Sequence, residues 1–140
     1  MRFWDSSALV PLLVQESETT RREKQLLEDG VIVTWWGTRV ECASALNRLV
    51  RNGAMTDAQL KETLTARGDL ADGWVEVLPS DRVRLRAMRL LRVHPLRAAD
   101  AMQLSACLDT CDRDPSDMTF VCGDDRLCTA ADREGLAVVR

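Results

Sequence analysis

Short apolar segments that read as strands alternate with helical segments along the whole chain, and this alternation restricts the fold more than any other feature. Residues 2–5 read as a strand and residues 7–16 as a helix entered through the polar pair Ser6-Ser7. Residues 18–29 form a charged helical segment closed by Gly30, and residues 31–34 are a β-branched run suited to a buried strand. Helices over 39–52 and 56–70 follow, the first with Gly53 past its end. Residues 74–78 make a third strand, cut off by Pro79. Ser80 and Asp81 then cap a helix reaching Val93, where His94-Pro95 stops it. The pattern ends with a helix over 97–111, a strand over 119–122, a helix over 124–134 and a strand over 137–139. Strands interleaved with helices predict an α/β sandwich around a mostly parallel sheet.

At 140 residues, with no long Gly/Ser/Pro linker, repeat or low-complexity stretch, the sequence predicts a single domain over 1–140 with a real core. No apolar run approaches the roughly 20 residues of a membrane span, and Asp5 interrupts the short apolar start after Arg2, so a cytoplasmic protein is expected. Cys42, Cys107, Cys111, Cys122 and Cys128 are an odd number without a paired framework, and His94 is the only histidine. A disulfide fold and a zinc site are therefore disfavoured. The net charge of −3 argues against a broadly basic nucleic-acid-binding surface but leaves room for an acidic catalytic centre.

In parallel α/β sheets, ligands gather at the carboxyl ends of the strands. Asp5 and Asp124 fall at two such ends. Each is open to two readings, a helix N-cap or a free ligand; at Asp5, Ser6 or Ser7 would serve as the cap instead, and Asp125 doubles the acid at the second position. Glu41 begins a helix and is followed one turn on by the small residues Ser44 and Ala45, which suit close approach to another element. The alternative is a first-turn glutamate facing solvent. Asp100 shares a helical face with Leu104, Cys107, Leu108 and Cys111. An acid on an apolar stripe needs a positive partner, either Arg97 one turn back or a bound cation. Together these acids suggest an oxygen-lined site of the kind that Mg²⁺ and Mn²⁺ prefer.

Four segments, Phe3-Trp4-Asp5-Ser6-Ser7-Ala8-Leu9, Val40-Glu41-Cys42-Ala43-Ser44-Ala45-Leu46, Leu96-Arg97-Ala98-Ala99-Asp100-Ala101-Met102-Gln103-Leu104 and Phe120-Val121-Cys122-Gly123-Asp124-Asp125-Arg126-Leu127, resemble in order and surroundings the PIN-domain nucleases and, within them, the VapC-type toxins of bacterial toxin–antitoxin pairs. The resemblance implies a three-layer α/β/α sandwich and an acidic quartet of Asp5, Glu41, Asp100 and Asp124. Asp5, Asp100 and Asp124 would be metal ligands, with Ser7 beside them. It also implies Mg²⁺ or Mn²⁺ as cofactor and RNA hydrolysis leaving a 3′-hydroxyl and a 5′-phosphate. The implied partners are a small antitoxin whose tail folds over the groove and a second copy in a homodimer. Asp124 fits the register better than Asp125, standing three before Leu127, while Cys122 replaces the Thr or Ser often found two before that acid.

Two features stand apart from the acids. Arg82, Arg86 and Arg89 share one helix face, read either as a solvated surface or as contacts to RNA or an acidic partner, with Val83, Ala87, Leu90 and Leu91 on the other. Trp35, Trp36 and Trp74 read as core or interface residues, and His94 as a helix-end residue without catalytic duty. Competing functions are an inactive PIN-like binding domain and a phosphotransfer domain using Asp5 as nucleophile. The second fits poorly, because Ser7 stands where a dehalogenase-like enzyme carries its second Asp. Lys24 and Lys61, the only lysines, are also misplaced for a receiver domain.

Overall fold

Phe3, Trp4, Phe120 and Val121, all fully buried, show how the sheet divides the molecule. Along a strand successive side chains point to opposite faces. Phe3 and Phe120 join one apolar cluster with Val83, Ala87, Leu90, Leu104 and Leu127, while Trp4 and Val121 join the other with Leu9, Leu12, Cys42 and Trp74. The two rings of the first set pair in register and stack at 5.8 Å. The computed structural model describes residues 2–14, 19–111 and 114–140, except for the side chains of residues 29 and 66–69.

The strands β1 (Arg2–Trp4), β2 (Val33–Trp35), β3 (Val75–Val77), β4 (Thr119–Val121) and β5 (Ala137–Val139) form one sheet in the order β3-β2-β1-β4-β5, parallel throughout. Helices α1 (Ser6–Leu13), α2 (Thr19–Asp29), α3 (Thr38–Arg51) and α4 (Asp57–Asp72) supply the cluster on one face. Helices α5 (Asp81–Val93), α6 (Ala98–Thr110) and α7 (Asp125–Arg133) cover the other. This is the expected three-layer α/β/α sandwich. Among the described residues no helix is long and apolar enough to cross a membrane.

Most elements fall where the pattern puts them, and the differences have local causes. The expected strand over 31–34 is displaced to Val33–Trp35, because the Trp35 indole enters the core while Val31 stays half-exposed. Trp35 is thus a core residue, and the exposed Trp36 meets it edge-on at 6.5 Å. A Cβ on Gly37 would stand 2.5 Å from the Trp35 indole nitrogen, so only glycine opens α3 there. The helix expected over 7–16 starts at Ser6 and ends at Leu13; the residues expected to complete it (15 and 16) and to open the next (18) lie outside the described residues. Thr56 and Gln59 close a reciprocal capping box on α4.

Candidate active site

Asp5 leaves the end of β1, a strand flanked by β2 and β4, and its N–H still bonds to the Val121 carbonyl at 3.0 Å. It is the N-cap of α1 itself, so of the two readings open at Asp5 the helix cap holds, and neither Ser6 nor Ser7 caps in its place. Its Oδ2 accepts the Ser7 N–H at 2.9 Å and the Ser7 hydroxyl at 2.5 Å, with the Cys122 thiol 3.6 Å away. Among the described residues no hydrogen bond reaches Oδ1. One carboxylate oxygen thus caps the helix while the other remains available. Burial pushes the Asp5 pKa above its ordinary 3.8, against the Ser7 and Cys122 hydrogen bonds, and the charge of Asp100 adds to the rise. The Ser7 hydroxyl oxygen also accepts the Gly123 N–H at 2.8 Å, tying the turn after β4 to the start of α1.

Glu41, in the first turn of α3, faces α1 rather than solvent. The Ser6 hydroxyl donates to its Oε2 at 2.8 Å. Burial raises its pKa above 4.5, hydrogen bonds from Ser6 and Gln103 oppose this, and the charges of Asp5 and Asp100 reinforce it. Beneath it runs a buried polar chain. The Gln103 amide donates to Thr38 Oγ1 at 2.9 Å, the Thr34 and Thr38 hydroxyls lie 2.8 Å apart, and Thr34 donates to the Trp4 carbonyl at 2.7 Å. Gln103 and Ser6 are site residues that sequence reasoning passed over. The available signal was Gln103's spacing, one helical turn after Asp100 and on the same side.

Asp100 is half-buried at the head of a stripe in which Leu104 and Cys107 are fully buried. Its Oδ2 accepts the backbone N–H of Arg97 at 3.1 Å, and among the described residues no ion pair joins it to the Arg97 guanidinium. Glu41, Asp100, Ser6, Ser7, Arg48 and Arg97 line one open cleft of about 440 Å³; the buried Asp5 is not among the lining residues and adjoins it through its hydrogen bonds with Ser7. Arg48 and Arg97 carry no ion pair among the described residues, although two carboxylates share their cleft.

The remaining expected residues stand elsewhere. Asp124 is the N-cap of α7, its Oδ1 accepting the Leu127 N–H at 2.9 Å, and it is not among the residues lining the cleft. Its link to the acids runs through Cys122, whose sulfur accepts the Asp124 N–H at 3.3 Å and lies against Asp5. The thiol therefore stands where a hydroxyl was expected. Its pKa is raised by contact with the Cys128 thiol, then by burial and by Asp5. Asp125 is solvent-exposed, 3.5 Å from Arg140. Arg82 and Arg86 pair with Asp109, and Arg89 with Glu134, so the basic stripe is bound up within the chain. His94 ends α5, buried, its Nε2 2.7 Å from Glu134 Oε1, in keeping with a helix-end role. Leu91 faces outward rather than into the core.

Among the described residues no group of three or more Asp, Glu, His or Cys side chains is already drawn together as a metal cage. The donor chemistry nevertheless suits a hard cation. Asp5, Glu41 and Asp100 act electrostatically on one another, and Asp5 and Asp100 each engage one oxygen and, among the described residues, leave Oδ1 without a hydrogen bond. Their mutual repulsion is what a bound divalent ion would relieve.

The family model described as PIN domain matches residues 2–130. No curated protein matches the sequence. Among solved structures, the crystal structure of FitAcB from Neisseria gonorrhoeae is similar over 100% of this chain and 97% of its own. The TM-score is 0.62 and the sequence identity 15%, a likeness of fold.

Proposed function

The chain belongs to the PIN-domain family, and on that premise we propose that it is a Mg²⁺- or Mn²⁺-dependent endoribonuclease, the VapC-type toxin of a toxin–antitoxin pair acting in the cytoplasm. The observation that carries this reading is Asp5, a buried carboxylate at the end of β1 with one oxygen held by Ser7 and the other unengaged among the described residues, coupled in charge to Glu41 and Asp100.

Asp5, Asp100 and Asp124 would hold the ion, with Glu41 as the fourth acid of the quartet. A divalent ion held there would supply Lewis acidity and lower the pKa of water at the phosphodiester. Glu41 is the proton acceptor for the attacking water, since burial and neighbouring charge raise its proton affinity while Ser6 fixes its Oε2. Ser7 holds Asp5 in place by its hydroxyl and its N–H. Arg48 and Arg97, on the cleft wall and free of ion pairs among the described residues, would receive backbone phosphates. A separate apolar groove of about 260 Å³, lined by Leu13, Cys42, Leu46, Leu64 and Trp74, supports docking of an apolar antitoxin segment.

Expression in a bacterial host tests the reading. The wild type is expected to arrest growth and degrade RNA, and Asp5→Asn to do neither. Asn caps a helix as well as Asp does, so the variant keeps its fold. Identical behaviour of the two would contradict the proposal.

A further inference from the structure

Gln103 is a polar side chain without exposure to solvent, on a helix whose Leu104, Ala106 and Cys107 fill the core. Its amide nitrogen donates to Thr38 Oγ1 at 2.9 Å, the Thr38 and Thr34 hydroxyls lie 2.8 Å apart, and Thr34 donates to the Trp4 carbonyl at 2.7 Å. The donors along this chain follow from its last member. A carbonyl only accepts, and a hydroxyl has one hydrogen. Thr34 uses its hydrogen on Trp4, so Thr38 donates to Thr34. Thr38 then needs a donor of its own, and only the nitrogen side of the Gln103 amide offers one. Turning the amide over would set two acceptors against each other, so its orientation is fixed.

That orientation leaves Gln103 Oε1 buried and without a hydrogen-bond partner among the described residues. An unpaired buried acceptor destabilises a fold. Thr38, still bonded to Thr34, would keep a partner if apolar atoms of the same shape replaced the amide. Core filling therefore does not account for an amide at this position. What the chain joins does. Gln103 stands one helical turn after Asp100 on α6, Thr38 one turn before Glu41 on α3, and Trp4 immediately before Asp5. Helices α3 and α6 cover opposite faces of the sheet, so the Gln103–Thr38 bond links the two helical layers. Three acids whose charges act on one another thus each lie within one turn of a member of the same chain.

We propose that Gln103 is a positioning residue for the acidic centre: through Thr38 and Thr34 it holds α6, α3 and β1 at a fixed separation, so that Asp100, Glu41 and Asp5 stay grouped despite their like charge. Hydrogen bonds suit this task because they set distance and direction, whereas apolar contact is non-directional. Gln103 lines no part of the cleft, so it acts on an ion or a substrate only through the acids. This role rests on the nuclease reading, in which the acids form a metal site, and adds the scaffold that spaces them.

Gln103→Met and Thr38→Val each cut the chain with little change of shape, and together they test the role. In chelator, Asp100→Asn is expected to raise the melting temperature of the wild type, because it relieves repulsion in a centre that is held together. In either chain variant the acids are free to draw apart, and the same substitution should raise it by clearly less. Calorimetric titration with Mn²⁺ should show binding ~10–100-fold weaker in each variant than in the wild type. The double variant should bind about as weakly as the weaker single one, since both changes break one link. A side chain that merely fills the core would shift the melting temperature of its own variant, but neither the gain from Asp100→Asn nor the affinity for Mn²⁺. An equal gain in the wild type and both variants would overturn the proposal, as would unchanged Mn²⁺ affinity in both or fully additive losses. A wild type that binds no Mn²⁺ would contradict the nuclease reading instead, and the comparison in chelator would still decide the role of Gln103.

Discussion

Asp100 accepts its hydrogen bond from the backbone N–H of Arg97, at 3.1 Å, and among the described residues no ion pair links it to the guanidinium of that arginine. An Asn oxygen can accept the same N–H. Asp100→Asn therefore removes a charge that repels Asp5 and Glu41 while keeping the local geometry. The variant is expected to melt no lower than the wild type in chelator, to gain less from Mn²⁺ and to lose RNA cleavage. Thermal melts in chelator and then in Mn²⁺ measure this. A loss of about 3 kcal/mol in chelator, the penalty for breaking a buried ion pair, would make Asp100 a structural residue.

The raised pKa values of Asp5 and Glu41 predict how the metal-free protein responds to pH. Each group binds its proton more tightly in the folded chain. Its contribution to stability is therefore complete below its ordinary value, 3.8 for Asp5 and 4.5 for Glu41, and is lost as pH rises through the higher folded value. In chelator, denaturation midpoints of the wild type should fall across that window relative to Asp5→Asn and Glu41→Gln. Parallel curves for all three proteins would contradict the assignment.

Glu134, paired with Arg89 and His94 away from the acidic cleft, behaves in the opposite sense. Burial works to raise its pKa, but hydrogen bonds from His94 and Arg89 outweigh that and hold it below 4.5. Its stabilisation is present above 4.5 and is lost as pH falls through the lower folded value. Glu134→Ala leaves the buried His94 ring without its partner at Nε2, while Nδ1 already lacks one among the described residues. The expected loss is about 1–3 kcal/mol in urea unfolding, with the kcat of the folded fraction unchanged.

Arg48 carries a separate prediction. If it receives a backbone phosphate, Arg48→Ala should weaken RNA binding and reduce the salt dependence of that binding by about one counterion. Mn²⁺ stabilisation should be unaffected. Unchanged binding in a salt titration would remove Arg48 from the substrate surface.

The layers of this fold were legible because periodicity reports which side of an element is apolar: Phe3 and Trp4 already alternate, and Val83, Ala87 and Leu90 already share a face. Periodicity does not report what an apolar face meets, and Leu91, grouped by it with Val83, Ala87 and Leu90, faces outward. Residues 31–34 looked more like a strand than Val33–Trp35 because β-propensity favours branched residues, whereas the register was set by where the Trp35 ring could be buried. Within the site, the candidate acids were legible as residue types at strand and helix ends. Their hydrogen bonds were not, because those depend on contacts between distant segments: Ser6 with Glu41, Ser7 with Gly123, and Gln103 with Thr38. Asp5 and Asp124 both cap helices with one oxygen, and a single sequence does not say which capping acid is buried beside the other carboxylates.

Cleavage of a structured RNA by purified protein, with Mg²⁺ or Mn²⁺ and in excess chelator, beside an identically prepared Asp5→Asn variant, tests the central claim most directly. The account predicts products with 3′-hydroxyl and 5′-phosphate ends from the wild type with metal, none in chelator, recovery when Mn²⁺ is restored, and none from the variant. Equal cleavage in chelator, or equal cleavage by Asp5→Asn, would contradict it.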